Sequence, residues 1–307
     1  MMERSRVSGF ITKNRRSFAL LVALLVTMIW SSSFVVVKFG LETLGPLTIA
    51  GLRYSLGAIV LAPFLLLKRG ERKPIPKELW PRLALIGVSS YTIGNGALFW
   101  GLKYIPATTG SFLMGLIPLL VMVGGAIFLK EIPTRWQGVG VFISLVGSLI
   151  FFSGGLQPGE PLGIAILALG LVGFMAFSLL GRGIARERSL DTLVLTTVPL
   201  IIGGLITMCI ALVVEGIPQF TIRSLWVVAW LALVNTSLGY LLYNYALREL
   251  TALEMNMVMN LTPLFTAFVS WILLAERLTL LQGAGLMVMI LGVILVQRGR
   301  KKINLDE

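Results

Sequence analysis

Residues 94–150 align without a gap on residues 239–295, at a constant offset of 145. Gly94 falls on Gly239, Met114 on Met259, Pro118 on Pro263 and Glu131 on Glu276. Gln137, Gly138, Gly140 and Gly147 fall on Gln282, Gly283, Gly285 and Gly292, and Lys103 meets Arg248. This period is far longer than the roughly 20–50 residues of a solenoid repeat, so it marks a duplicated half-protein. Whatever one half folds into, the other must match, and the two must fit together.

Both halves are apolar. The 307-residue chain is 56% hydrophobic and 13% charged, with a mean hydropathy of +0.90. A soluble domain of this size carries more charge. A helix crosses the hydrocarbon core with about 20 apolar residues. Such runs fall at 18–38, 46–67, 82–102, 106–129, 136–152, 161–181, 192–214, 224–247, 252–274 and 280–297. The short alternating segments of a transmembrane β-barrel are missing. The first run follows a basic stretch, as in a signal peptide, but it is too long and lacks a small-residue cleavage site, so it reads as the first span.

The expected fold class is therefore an all-α polytopic membrane protein of ten transmembrane helices, five per repeat, around a central cavity. Five is odd, so the second copy enters the membrane from the opposite side. The repeats are then inverted, related by a pseudo-two-fold axis in the membrane plane, with a substrate site between them. The expected organisation is a basic N-terminal tail (1–17), a first repeat (18–152), a Gly-rich linker (153–160), a second repeat (161–297) and a C-terminal tail (298–307).

The net charge of +12 reports topology. With a cytoplasmic N-terminus, 21 of the 26 Lys and Arg residues fall on the inner side. That is the positive-inside rule, and it places both termini in the cytoplasm. The basic face then meets anionic lipid and not nucleic acid. Histidine is absent and Cys209 is the single cysteine, which removes His-based triads, His-ligated metals and disulfides. No phosphate-cradling Gly loop, nucleophile elbow or carboxylate cluster is present. The chain is thus expected to need no cofactor or metal, to be no enzyme, and to use no ATP. Its expected partners are the lipid bilayer and a small-molecule substrate.

The candidate binding residues are polar or aromatic groups inside spans. Trp30 lies mid-span instead of at an interface and leads into Ser31, Ser32 and Ser33. Tyr91 and Asn95, four residues apart, share one face of the third span. Tyr240 and Asn244 hold the same spacing in the eighth span, among Asn235, Tyr243 and Tyr245; Asn256 and Asn260 hold it in the ninth. An amide in hydrocarbon needs a partner, which a cavity or a neighbouring helix supplies. Trp30, Ser32, Tyr91, Asn95, Tyr240, Asn244, Asn256 and Asn260 form the expected substrate cavity. Arg53, about 10 Å into the second span, has four readings: contact with a substrate carboxylate, gating against Glu42, snorkelling outward, or a link to carbonyls at helix ends. Thr251-Ala-Leu-Glu254 fits a helix-starting capping box. Gly140, Gly147, Gly285 and Gly292 mark close helix packing or an oligomer face.

Three features together resemble the EamA family of the drug/metabolite transporter superfamily. These are Trp30-Ser-Ser-Ser-Phe34 with Gly51-Leu-Arg53-Tyr54; Pro118 and Pro263 within their spans; and Ala275-Glu276-Arg-Leu-Thr-Leu-Leu-Gln282-Gly-Ala-Gly285 continuing to Gly292. The resemblance covers 18–297. It implies ten helices in two inverted repeats, with helices one to four and six to nine around the cavity and five and ten peripheral. It also implies a secondary transporter of the cytoplasmic (inner) membrane, exporting amino acids, other metabolites or drugs by alternating access. Uptake or facilitated exchange is the competing direction. A lipid scramblase or a membrane-embedded enzyme is the alternative from another class.

Overall fold

The computed structural model describes residues 2–67, 74–101, 104–105, 107–155, 159–265 and 279–299, with side chains described except at 2–14, 34, 35, 38, 99, 107–109 and 111. Among these residues there are helices and no strands. In chain order they form α1 (Met2–Gly40), α2 (Pro46–Leu67), α3 (80–101), α4 (Ala107–Met114 and Ile117–Phe128) and α5 (Arg135–Phe152). There follow α6 (Pro161–Glu187), α7 (Thr192–Glu215), α8 (Ile222–Ala246), α9 (Ala252–Met259, continuing to 265) and α10 (Leu280–Arg298). Among the described residues, seven helices are long and apolar enough to cross a membrane: α2, α5, α6, α7, α8, α10 and the Arg15–Ser33 part of α1. The chain is a multi-pass membrane protein. The other three expected spans, α3, α4 and α9, are interrupted helices, and residues 266–274 of the ninth lie outside the described residues.

The starts of these helices are chemically specified. Thr134 and Gln137 form a reciprocal capping box at the start of α5. Their repeat partners Thr279 and Gln282 do the same for α10. The hydroxyl takes an orphan N–H of the first turn while the amide side chain reaches back to the cap. The matched glutamines are therefore cap residues. α2 lacks a cap of its own; the Glu215 carboxylate at the end of α7 accepts from Leu47 N (3.0 Å) and Thr48 N (2.8 Å).

Helices at equivalent places in the two halves pack on each other in opposite directions. In α5 and α10 a Cβ on Gly140 would stand 2.7 Å from the Gly292 carbonyl oxygen, and one on Gly147 2.8 Å from that of Gly285. The glycines thus pack α5 against α10 within one chain. The offset of 145 exchanges the two contacts with each other. In α2 and α7, Gly51 meets Met208, Tyr54 meets Gly204 and Thr48 meets Glu215, again antiparallel. The remaining neighbours follow the same exchange: α1 touches α8 and α9, while α6 touches α3 and α4.

The interruptions correspond too. Val88–Gly94 in α3 and Leu231–Leu238 in α8 are π-helical. α4 breaks at Gly115-Leu116 ahead of Pro118, and α9 breaks at Asn260-Leu261 ahead of Pro263. Proline lacks the N–H that would bond four residues back. In α9 the Thr262 hydroxyl takes over, donating to the Met259 carbonyl at 2.6 Å. The two breaks face each other: a Cβ on Gly115 would lie 3.5 Å from Asn260 Oδ1. Thr27 and Ser31 of α1 then reach the broken stretch, donating to the Val258 (3.4 Å) and Thr262 (3.3 Å) carbonyls.

Candidate functional site

Six aromatic rings meet between the halves, three from each. Trp30 (α1), Tyr54 (α2) and Tyr91 (α3) face Phe177 (α6), Tyr240 and Tyr243 (α8). Centroids stand 5.0 Å apart for Trp30–Tyr240, 5.4 Å for Trp30–Tyr243, 4.7 Å for Tyr54–Tyr91 and 5.1 Å for Tyr91–Tyr240. Phe177 stacks on Tyr243 at 5.2 Å. All but Trp30 are buried. The side chains fill the centre by packing directly on one another, so the open central space expected there is closed in this conformation.

The π-helical stretch of α8 organises this cluster. A π turn rotates the side chains that follow it and leaves backbone groups free for side-chain partners. The Asn235 carbonyl accepts the Trp30 indole N–H at 2.9 Å. The Asn235 amide donates to the Ile29 carbonyl and to Ser32 Oγ. Its Oδ1 is buried without a partner among the described residues, an arrangement native interiors rarely tolerate. Thr236 Oγ1 accepts from Arg53 Nε at 3.1 Å, and Ser237 Oγ donates to the Gly57 carbonyl at 3.2 Å.

Arg53 is buried, with 6% of its surface exposed, and its guanidinium lies 5.1 Å from the Tyr54 ring centroid. None of the ion pairs among the described residues involves it. The expected gating partner, Glu42, instead pairs with exposed Arg223 at 2.6 Å, so that reading is corrected. Snorkelling is also overturned, because the side chain turns inward onto α8.

The other expected residues divide. Trp30, Tyr91 and Tyr240 belong to the ring cluster, and Ser32 joins through Asn235. Asn256 joins by donating to Ser178 Oγ (3.1 Å), which lies 3.3 Å from the Tyr243 hydroxyl. Asn95 donates back to the Ser90 carbonyl of its own π-helical stretch at 2.8 Å and lies against the Tyr240 hydroxyl, so it borders the ring cluster as Tyr91 does. Asn244 donates to Thr196 on α7 (3.0 Å) and Asn260 to Ser144 on α5 (3.0 Å). Asn260 stands one regular turn beyond Asn256, its N–H bonding the Asn256 carbonyl at 2.9 Å, at the point where α9 breaks. Tyr54, Phe177, Tyr243 and Asn235 enter the cluster without having been expected there. Tyr243 carried a usable signal, lying three residues from Tyr240 on the same helical face.

Glu254 completes the capping box with Thr251 and also pairs with Arg16 at 2.7 Å. Glu131 pairs with buried Arg182 at 2.9 Å. Its repeat partner Glu276 lies outside the described residues, as does Lys103.

The EamA-like transporter family model matches the chain twice, over residues 17–153 and 161–298. The chain belongs to this family. It is 26% identical over 271 residues to the uncharacterised transporter YyaM of Bacillus subtilis, covering 86% of this chain and 88% of that one. It is 28% identical over 288 residues to an S-adenosylmethionine/S-adenosylhomocysteine transporter of Chlamydia trachomatis, covering 88% and 87%. It is 27% identical over 288 residues to the inner membrane transporter YedA of Escherichia coli, covering 92% and 91%. A solved crystal structure superposes with a TM-score of 0.78 at 16% identity, covering 94% of this chain and all of that one.

Proposed function

Starting from membership of the EamA-like transporter family, we propose that the protein is a secondary transporter of the cytoplasmic membrane that exports small amphipathic metabolites by alternating access. In this reading the ten helices all span, in two inverted five-helix repeats divided near 153–160, with both termini cytoplasmic. The antiparallel packing of repeat-related helices supports the inversion, because repeats related by an axis along the membrane normal would pair those helices in parallel. The distribution of Lys and Arg supports the orientation.

The observation that carries the site is the ring cluster, with three rings from each half and the buried cation Arg53 beside it. Rocking one half against the other would part the rings and open a space between them. Aromatic faces would take the apolar body of a solute, and Arg53 would take a carboxylate, since an unpaired charge at this depth is costly. The unpartnered Asn235 Oδ1 would accept from an amine or amide N–H. The chlamydial relative is named for a solute with an adenine ring and an amino-acid end, which places that chemistry on the test panel.

The experiment is flux into or out of proteoliposomes over a panel of amino acids, adenosyl amino acids and organic cations. Saturable flux of amphipathic carboxylates supports the reading. Protein-independent flux for the whole panel overturns it.

A further inference from the structure

Among the described residues, two ion-pair networks, each with a buried member, join the halves at one end of the molecule. Arg16 of α1 donates to the Glu254 carboxylate of α9 (2.7 Å) and to the Gln297 carbonyl of α10 (3.1 Å). Gln297 donates in turn to the Glu254 carbonyl at 3.0 Å. Glu254 is fully buried. In the second network Arg182 of α6, also buried, donates to Glu131 beyond α4 (2.9 Å) and to the Leu247 carbonyl after α8 (2.7 Å). Arg16 and Glu131 belong to the first half; Glu254, Gln297 and Arg182 belong to the second. Each network therefore bridges the boundary across which alternating access must move.

With inverted repeats, opening to one side is the pseudo-mirror of opening to the other. A symmetric protein would carry the same bridges at both ends. Here the repeat-related positions hold Pro161 for Arg16, Thr109 for Glu254, Phe152 for Gln297 and Val37 for Arg182. Neither network can form at the opposite end. Among the described residues, the side-chain links between the halves there include the exposed Glu42–Arg223 pair and the Glu215 cap on α2. An exposed pair contributes little. Separating a buried pair leaves an unpaired charge out of water, which is far more costly.

We propose that Arg16–Glu254–Gln297 and Arg182–Glu131 form a one-sided cytoplasmic gate, which biases the resting protein toward the state closed to the cytoplasm. This rests on the inverted-repeat transporter reading above. Glu254, Gln297 and Arg182 lie near the ends of their helices and Arg16 lies two turns or more before the apolar part of α1 reaches the ring cluster, so they act on the equilibrium between states and not on solute contact.

The test uses the full-length protein with Cys209→Ala and a reporter cysteine, Ser32→Cys, beside the ring cluster. A membrane-impermeant thiol reagent is applied to right-side-out and inside-out vesicles. Glu254→Gln removes the charge and keeps a capping-competent side chain. It, Arg16→Gln and Arg182→Gln should each raise the cytoplasmic labelling rate by roughly tenfold or more. The swap Arg16→Glu with Glu254→Arg should return the rate toward the parent's. Elution profile and thermal midpoint in detergent identify any variant that is merely unfolded, and Arg16→Gln, at a half-buried residue, is the milder of the pair. Unchanged cytoplasmic labelling in folded variants overturns the gate, even where solute flux persists. Faster labelling with no flux of any solute by the unsubstituted protein upholds the gate and removes the transport reading.

Discussion

The α5–α10 contact can be tested by adding single methyl groups. A Cβ on Gly140 would lie 2.7 Å from the Gly292 carbonyl oxygen and 2.9 Å from Val296 N; one on Gly147 would lie 2.5 Å from Met289 N. From the other side, Gly285 would meet Phe151 N at 2.5 Å and Gly292 would meet Ser144 N at 2.6 Å. Even close carbon–oxygen contacts between helices sit at about 3.3–3.6 Å. The obstructing atoms are backbone, so no rotamer change relieves them, and the helices must separate by about 0.5–1 Å. Overpacking of this kind costs about 1–3 kcal/mol. Gly138 and its repeat partner Gly283 are the internal control, since a Cβ on either meets nothing within 4 Å. There an alanine only improves helix propensity, by up to about 1 kcal/mol.

Gly138→Ala and Gly283→Ala should therefore hold or raise the thermal midpoint in detergent, while Gly140→Ala, Gly147→Ala, Gly285→Ala and Gly292→Ala lower it. Gly140→Ala with Gly292→Ala should cost less than the sum, because both methyls press the same crossing and the first opens it for the second. Gly140→Ala with Gly147→Ala should cost at least the sum. Their crossings lie about 10 Å apart along the helix, so the helices can no longer pivot on the untouched one. If Gly140→Ala melts with Gly138→Ala, the backbone contact is not there.

At the site, Arg53→Gln should raise the half-saturation concentration for carboxylate solutes by on the order of thirtyfold, the loss of about 2 kcal/mol from an interaction with a desolvated charge. Arg53→Lys should recover part of it, and equal kinetics in all three proteins would remove Arg53 from solute contact. Trp30→Phe keeps a ring but drops the indole N–H to the Asn235 carbonyl, so about 1 kcal/mol of stability should go; Trp30→Ala should cost about 3–5 kcal/mol. Thr262→Val should cost about 1–3 kcal/mol by stripping the Met259 carbonyl of its donor. Detergent melting curves check all three variants, and a silent Thr262→Val would show that the break is satisfied some other way.

Much of the scaffold was legible because it depends on local or periodic signals. The offset of 145, the apolar runs, the matched prolines and the Thr251–Glu254 box each point to an element that the structure contains. Contacts made far along the chain were not legible. A seven-residue glycine spacing could not choose between a partner helix and a second molecule, and the reciprocal contacts of Gly140 with Gly292 decide it. Arg16 lies 238 residues from Glu254, and no local pattern connects them. The π-helical stretches of α3 and α8 were not legible either, because apolar periodicity reads each run as a regular α-helix.

The two π-helical stretches show how one scaffold carries unlike chemistry at matched places. By the offset, Ser90, Tyr91 and Thr92 correspond to Asn235, Thr236 and Ser237. The third residue of each set does the same work: the Thr92 hydroxyl donates to the Gly203 carbonyl of α7 (3.4 Å), and the Ser237 hydroxyl to the Gly57 carbonyl of α2 (3.2 Å). Those bonds hold α3 to α7 and α8 to α2 in equivalent fashion. The second residue of each set differs. Tyr91 puts a ring against Tyr54, whereas Thr236 puts a hydroxyl on Arg53. On the neighbouring helices, Arg53 and Tyr54 correspond to Val198 and Pro199, so the cation and its stacked ring exist on one side alone. Symmetric hydrogen bonds fix where the central side chains stand, and the positions that depart from symmetry decide what they can bind. Duplication could supply the frame; only divergence between the copies could make the site, and the gate, one-sided.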